Sequence, residues 1–380
     1  MKINGILTFQ RAHNHGALLQ AFATQSLIKD LGQKSELIDY RNIGTPEFYK
    51  EQSTTKRLKF KSLIAHKIRG FFLDRIIIKQ NEVYESFQDT YLIYSKLKYS
   101  TRLDLINSNI EENYSMIIAG SDQIWNTDIS LNDSSYFLDF ISESNKKVAF
   151  AASFGRMSLH NSNKDYLLNQ IKKIKHLSVR EKEGANIINK GVGIVPFVCL
   201  DPTLILNSLV WEEYMIKPRL NYKYILCFVI GNFSHFTDQA CKKVGKDMNL
   251  PIVMVNNYGI INRLNKNYKF NDKLSPFELL GLIKDAELVI TTSFHGTAFA
   301  INFNKEFYAL PTSLKSKSSE RNSRITNVLE KFNIADRYIK DLNDLNKKIE
   351  EQKKINYIDV NKLLAVERNA SLSFLKNALK

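Results

Sequence analysis

The sequence predicts an α/β protein built from two doubly wound, Rossmann-like domains, and three observations predict it. Its 380 residues are 44% hydrophobic and 24% charged, which gives enough core for about two domains and is not the composition of a disordered chain. Short apolar, β-branched runs alternate with helical patterns along the chain. Nearly every such run hands a polar cluster to the segment that follows it, which is where open α/β sheets bind ligands.

The first unit opens with a strand over Ile3 to Phe9, a polar loop Gln10 to Gly16, a helix from Ala17 to Leu31 closed by Gly32, and a second strand from Lys34 to Tyr40. His13, Asn14, His15 and Gly16 therefore stand at a strand carboxyl end. No G-x-G-x-x-G or G-x-x-x-x-G-K-[ST] is present, so neither a dinucleotide fingerprint nor a P-loop is expected.

Residues 50–80 change character, with nine basic residues against Glu51 and Asp74 for a net +7, nearly half of the chain's +15. Leu58, Leu63, Ile64, Ile68, Phe71 and Phe72 interleave at roughly helical spacing. The pattern fits a basic amphipathic helix for an anionic membrane or an acidic substrate; the alternative is an ordinary helical insertion in the first domain with one face on the core and a solvated basic face.

Strands resume over Tyr114 to Ala119, Lys147 to Ala152, Leu177 to Val179 and Phe197 to Leu200. They deliver Gly120 to Asn126, Ser153 to Arg156, Arg180 to Gly184 and Asp201-Pro202-Thr203. Asp122, Gln123 and Trp125 are candidates for reading a ligand. The alternative for Asp122 and Asp201 is turn or helix capping.

A boundary near 206–221 starts the second unit, with strands Tyr224 to Ile230 and Pro251 to Val255 around a helix from Phe236 to Met248. Ser275-Pro276-Phe277-Glu278 reads as a capped helix start. Leu288 to Thr291 is then a strand that runs through Thr292, Ser293, Phe294, His295 and Gly296 into a helix, so Ser293, His295, Gly296 and Thr297 are poised over a ligand crevice. The alternative for His295 is a buried histidine satisfied by a backbone carbonyl. Phe307 to Leu310 is a further strand, and Arg321 and Arg324, three apart near a helix start, can grip a phosphate or carboxylate. Residues 342–380 form a lysine-rich helical tail that closes over the first domain.

Cys199, Cys227 and Cys241 are widely spaced, which suits three core residues in a reducing compartment and no zinc site. The start lacks a signal peptide's apolar segment and no run is long enough to span a bilayer, so a cytoplasmic protein is expected. The +15 charge calls for anionic partners, yet no helix-turn-helix, RNP or finger pattern points to nucleic acid.

His13-Asn14-His15-Gly16-Ala17-Leu18-Leu19-Gln20-Ala21, Gly120-Ser121-Asp122-Gln123-Ile124-Trp125-Asn126, Ala151-Ala152-Ser153-Phe154-Gly155, Val179-Arg180-Glu181-Lys182, Asp201-Pro202-Thr203 and Thr292-Ser293-Phe294-His295-Gly296 together resemble the polysaccharide pyruvyl transferase family. The resemblance implies a glycosyltransferase-B-like fold with two Rossmann-like domains, 1–206 and 207–341, facing a cleft. It implies transfer of pyruvate from phosphoenolpyruvate to a sugar of a cell-surface polysaccharide or its lipid-linked precursor, with no metal and no cofactor beyond that co-substrate. On this reading His295 and Asp122 are catalytic. Ser293, Gly296, Thr297, Arg180, Arg321 and Arg324 bind the donor, and His13, Asn14, His15, Gln123 and Trp125 bind the acceptor. The partners are phosphoenolpyruvate, the sugar or lipid-linked acceptor and an anionic membrane surface, which places the protein in the cytoplasm and peripherally at the inner face of the membrane. Where family members carry an arginine two residues before the histidine this chain has Ser293, leaving Arg321 and Arg324 to take that place. The competing readings are a nucleotide-sugar glycosyltransferase on the same fold and a non-catalytic glycan- or lipid-binding member of a synthesis complex.

Overall fold

In a computed structural model, residues 3–42, 63–159, 163–231, 233–255, 268–271, 273–312 and 319–380 are described, those at 63–74 and 319–321 by their helical backbone alone. Contacts divide the chain into two compact units. The first holds residues 1–50, 87–206 and 364–380, and the second holds 51–86 and 207–363.

The first unit is a parallel sheet of seven strands: β1 (Ile3–Leu7), β2 (Ser35–Tyr40), β3 (Tyr94–Tyr99), β4 (Tyr114–Ala119), β5 (Lys147–Ala152), β6 (His176–Val179) and β7 (Phe197–Val198). Their order is β3-β2-β1-β4-β5-β6-β7, so the winding reverses between β1 and β4. β1 pairs with β4 through Gly5↔Ile117, Ile6↔Ile118 and Leu7↔Ala119. Leu7, Ile117 and Ile118 are wholly buried, as expected of central strands covered on both faces. The helix His15–Asp30 begins two residues earlier than its apolar pattern suggests because Asn14 caps it, accepting hydrogen bonds from Gly16 N and Ala17 N.

The second unit is a parallel sheet of five strands: β8 (Ile225–Phe228), β9 (Ile252–Val255), β10 (Tyr268–Phe270), β11 (Leu288–Thr291) and β12 (Phe307–Ala309). Their order is β10-β9-β8-β11-β12, reversing between β8 and β11. The helix Pro276–Asp285 starts with the anticipated capping box, Ser275 and Glu278 each bonding the other's backbone N–H. All three cysteines are buried and outside any disulfide. Cys227 and Cys241 lie 3.2 Å apart in this unit's core, where that contact and burial push the Cys241 thiol well up.

Three features differ from the sequence reading. Residues 51–86 group with the second unit instead of forming an insertion in the first. Residues 50–62 lie outside the described residues, and from Leu63 the chain is helical to Tyr91. At the described end of that helix Gln80 explains the grouping, since its side chain donates to Leu274 O at 2.7 Å and accepts from Leu274 N at 2.8 Å. The tail also divides. Leu345 is buried in the second unit's core, whereas residues 364–380 belong to the first unit, where Ser371 Oγ accepts from Leu200 N and Phe374 stacks on Phe150 and Phe197. Finally, β3 and β10 are strands that the apolar pattern did not reveal. Both are edges, and β3 reads Tyr-Ser-Lys-Leu-Lys-Tyr, with the lysines that blunt an edge. Among the described residues no helix is long and apolar enough to cross a membrane.

Candidate functional site

His13 to Gly16 and Asp122 to Trp125 follow β1 and β4, the strands flanking the first sheet's reversal, and Ser293 to Thr297 follow β11, which flanks the second's, the crevice position of an open α/β sheet; Arg180 instead follows β6, and Arg321 and Arg324 lie in the helix Ser319–Lys331. In the first unit the loops after β1 and β4 are stitched together by buried polar groups. Gln20 Nε2 donates to Thr8 Oγ1 at 2.7 Å, Thr8 Oγ1 donates to Ser121 O at 3.1 Å, and Ser121 N donates to Gln20 Oε1 at 3.2 Å. This closed set ties the end of β1 and the first helix to the loop after β4. His15 is buried in the first turn of its helix and His13 is half-buried in the preceding turn. Asp122 has a left-handed φ of 67° and accepts from Gln123 N at 2.8 Å, while Gln123 Oε1 accepts from Asn126 Nδ2 at 3.1 Å.

Trp125 is not an acceptor-reading residue. It is wholly buried, donates Nε1–H to Tyr136 O at 2.9 Å and stacks on Phe137 with ring centroids 5.5 Å apart, so it holds the loop to the core. Asn14 likewise spends its side-chain oxygen on the helix cap.

Arg180, expected at the donor, is held by an ion pair inside the first unit. Its Nη1 donates to Asp201 Oδ2 at 2.6 Å, with both side chains almost fully buried. Burial alone lowers the pKa of such a group, but the charges of Asp201, Glu181 and Asp122 outweigh it and hold the guanidinium above its ordinary value. Asp201 also accepts from Ser121 Oγ at 3.0 Å, from Thr203 N at 2.9 Å and from Thr203 Oγ1 at 2.6 Å. Asp201 thus combines the capping role read from the sequence with an ion pair that sequence reading missed, because no spacing links residues 180 and 201.

The second unit's site is built on the β8 and β11 ends. Thr292 Oγ1 accepts from Ile230 N at 2.9 Å and lies 3.2 Å from Ile230 O, and Thr291 Oγ1 donates to Phe228 O at 2.8 Å, tying the two strand ends together. Ser293 caps the helix Phe294–Asn302, its Oγ accepting from Gly296 N at 3.2 Å, and Thr297 Oγ1 donates back to Ser293 O at 3.1 Å. Ser293 and Thr297 are therefore committed to shaping the helix start. The first turn of a helix carries the N–H groups that attract an anion. Phe294 links the remaining groups, since the His295 ring meets it edge-on at 5.3 Å and Arg324 Cζ lies 6.0 Å from its ring centroid. His295 is buried to 6% exposure. The Arg321 side chain lies outside the described residues.

Gly296 permits the close approach. A Cβ there would stand 2.3 Å from Thr291 Oγ1 and 2.9 Å from Phe228 Cδ1, and that hydroxyl is already held by Phe228 O and Ser293 N. Gly296→Ala is accordingly expected to cost about 1–3 kcal/mol in chemical denaturation by overpacking; wild-type stability would mean the helix can shift freely.

Solved structures similar to this one include UDP-GlcNAc 2-epimerase from Neisseria meningitidis bound to UDP-GlcNAc, at 8% identity and TM-score 0.52 over 96% of this chain and 98% of that one. A protein assigned as a UDP-N-acetylglucosamine 2-epimerase from Listeria monocytogenes is similar at 12% identity and TM-score 0.51, over 96% and 91% of the two chains. At such identities the likeness shows the fold alone, a glycosyltransferase-B-like pair of Rossmann-type units. No curated protein sequence matches the chain. A family model described as polysaccharide pyruvyl transferase matches residues 14–313, from the cap at Asn14 through the His295 helix and short of Arg321 and Arg324. The chain belongs to the polysaccharide pyruvyl transferase family.

Proposed function

We propose that this protein transfers pyruvate from phosphoenolpyruvate to two hydroxyls of a sugar in a cell-surface polysaccharide or its lipid-linked precursor, forming a ketal. The observation that carries this reading is the helix start at the second sheet's reversal, where His295 and Arg324 both meet Phe294. Ketal formation protonates the donor methylene, joins two sugar oxygens to C2 and breaks the C2–O bond to phosphate. One hydroxyl proton balances the new methyl group and the other leaves with phosphate. His295 supplies the proton transfer, the helix N-terminus and Arg324 with Arg321 hold the anionic donor, and Asp122, His13, His15 and Gln123 serve the acceptor. With Ser293 occupied as a cap, the donor's charge falls to the arginines of the helix Ser319–Lys331. The basic excess of +15 supports work beside an anionic membrane surface at its inner face.

Ligand-induced thermal shift tests the donor. Phosphoenolpyruvate at a hundred times its Kd stabilises by about 2.7 kcal/mol, and Arg324→Ala is expected to abolish most of that shift. Stabilisation by nucleotide sugars alone would replace pyruvyl transfer by glycosyl transfer, and silence from every donor would favour a non-catalytic binding role.

A further inference from the structure

The helix Leu63–Tyr91 carries a cationic face in the second unit to which the proposed reaction assigns no part. Gln80, Tyr84 and Phe87 of this helix are buried, which turns its opposite side to solvent. There the exposed Arg75 and the half-exposed Lys79 stand one turn apart, and Ile78 beside them is 57% exposed.

Lys273 joins them from a distant part of the chain. The two hydrogen bonds between the Gln80 side chain and the Leu274 backbone, at 2.7 and 2.8 Å, clamp the helix to the turn that precedes the helix Pro276–Asp285. Lys79 and Lys273 come immediately before these two residues, and their ammonium groups lie within hydrogen-bonding reach of each other. Ammonium groups so placed repel, and the charges of Lys273 and Arg75 lower the Lys79 pKa, opposed more weakly by Glu82. The clamp thus holds three cations together against their own repulsion, which an anion would relieve.

The charge around them has the same sign. Residues 50–86 hold nine basic residues against Glu51, Asp74, Glu82 and Glu85, and the surplus stays positive when Asp272, next to Lys273 in the chain, is counted. By three-and-four spacing the backbone positions of Ile68, Phe71 and Phe72 share the helix face of Arg75. Apolar residues among cations on one helix face match an anionic bilayer, which offers acyl chains to the first and headgroup charge to the second. A small soluble anion, or a nucleic acid backbone, would use the cations alone.

We infer that the face of Arg75, Lys79 and Lys273, with Ile78 among them, docks the second unit on the acidic phospholipids of a bilayer. The inference rests on the pyruvyl-transfer reading, and deepens it, only in giving a lipid-linked acceptor a surface to be met on. Docking itself involves neither donor nor acceptor, so the two can fail separately.

Sedimentation of the full chain with vesicles of phosphatidylglycerol and phosphatidylcholine in equal parts, and with phosphatidylcholine alone, tests the face. Wild type is expected to bind the acidic vesicles, to leave them as salt is raised, and to ignore the neutral ones. Each basic side chain at such a surface is worth about fivefold in partitioning, so Arg75→Gln, Lys79→Gln and Lys273→Gln together should weaken binding about a hundredfold. Lys273→Glu alone, which leaves the helix untouched, should weaken it at least about fivefold. Removing the same charge from the tail helix at the exposed Lys362, Lys376 and Lys380 should cost much less. No binding to acidic vesicles, equal binding to neutral ones, or an equal loss from the tail substitutions would overturn the face. Failure of phosphoenolpyruvate to shift the wild-type melting midpoint, beside vesicle binding that the triple substitution removes, would count against the proposed reaction and uphold the face.

Discussion

Asp201→Ala is expected to lower the unfolding free energy by about 3–5 kcal/mol in urea titration, because it strips the partner from a buried guanidinium. Asp201 is 1% exposed and accepts from Arg180, Ser121 and both the N–H and hydroxyl of Thr203. Its removal leaves the Arg180 charge inside the first unit without its ion-pair partner, beside the more weakly coupled charges of Glu181 and Asp122. Asp201→Asn keeps the shape and an acceptor for Thr203 but loses the charge, so it should recover only part of the loss. A drop under about 1 kcal/mol for Asp201→Ala would mean that Arg180 finds water or another partner, as an exposed ion pair would. The effect should reach function too. Ser121 bonds the same Asp201 oxygen as Arg180 and precedes Asp122, so loosening this network frees the loop to which we assign the acceptor.

His295→Ala is expected to reduce turnover by at least about a hundredfold if His295 moves the proton to the donor methylene. Stability should change much less, since its neighbours Ser293, Gly296 and Thr297 form the helix start without its side chain. His295→Gln separates the roles, keeping hydrogen-bonding capacity while removing the titratable ring. Near-normal turnover in either variant would reduce His295 to a packing partner of Phe294.

Much of the architecture was legible because central parallel strands are short apolar runs. Tyr114–Ala119 and Lys147–Ala152 are found where their composition placed them, and Ser275 with Glu278 announced its helix through the capping box. Edge strands were harder, because β3 carries Lys96 and Lys98 on a face that buries little. The grouping of residues 51–86 with the second unit depends on Gln80 meeting Leu274, a pairing across 194 positions that no local pattern carries. For the candidate site, sequence placed the loops after β1, β4 and β11 at the sheet reversals, but it could not show which of their side chains are spent on local structure. Trp125, Asn14, Ser293 and Thr297 build those loops, and Arg180 neutralises Asp201.

The most direct measurement of the central claim is product analysis by mass spectrometry and phosphate assay, with phosphoenolpyruvate and a panel of free and lipid-linked sugars, wild type beside His295→Ala. Pyruvyl transfer requires one phosphate released for each pyruvate ketal gained by the acceptor, with both signals falling together in the variant. Untouched phosphoenolpyruvate beside a consumed nucleotide sugar would contradict it.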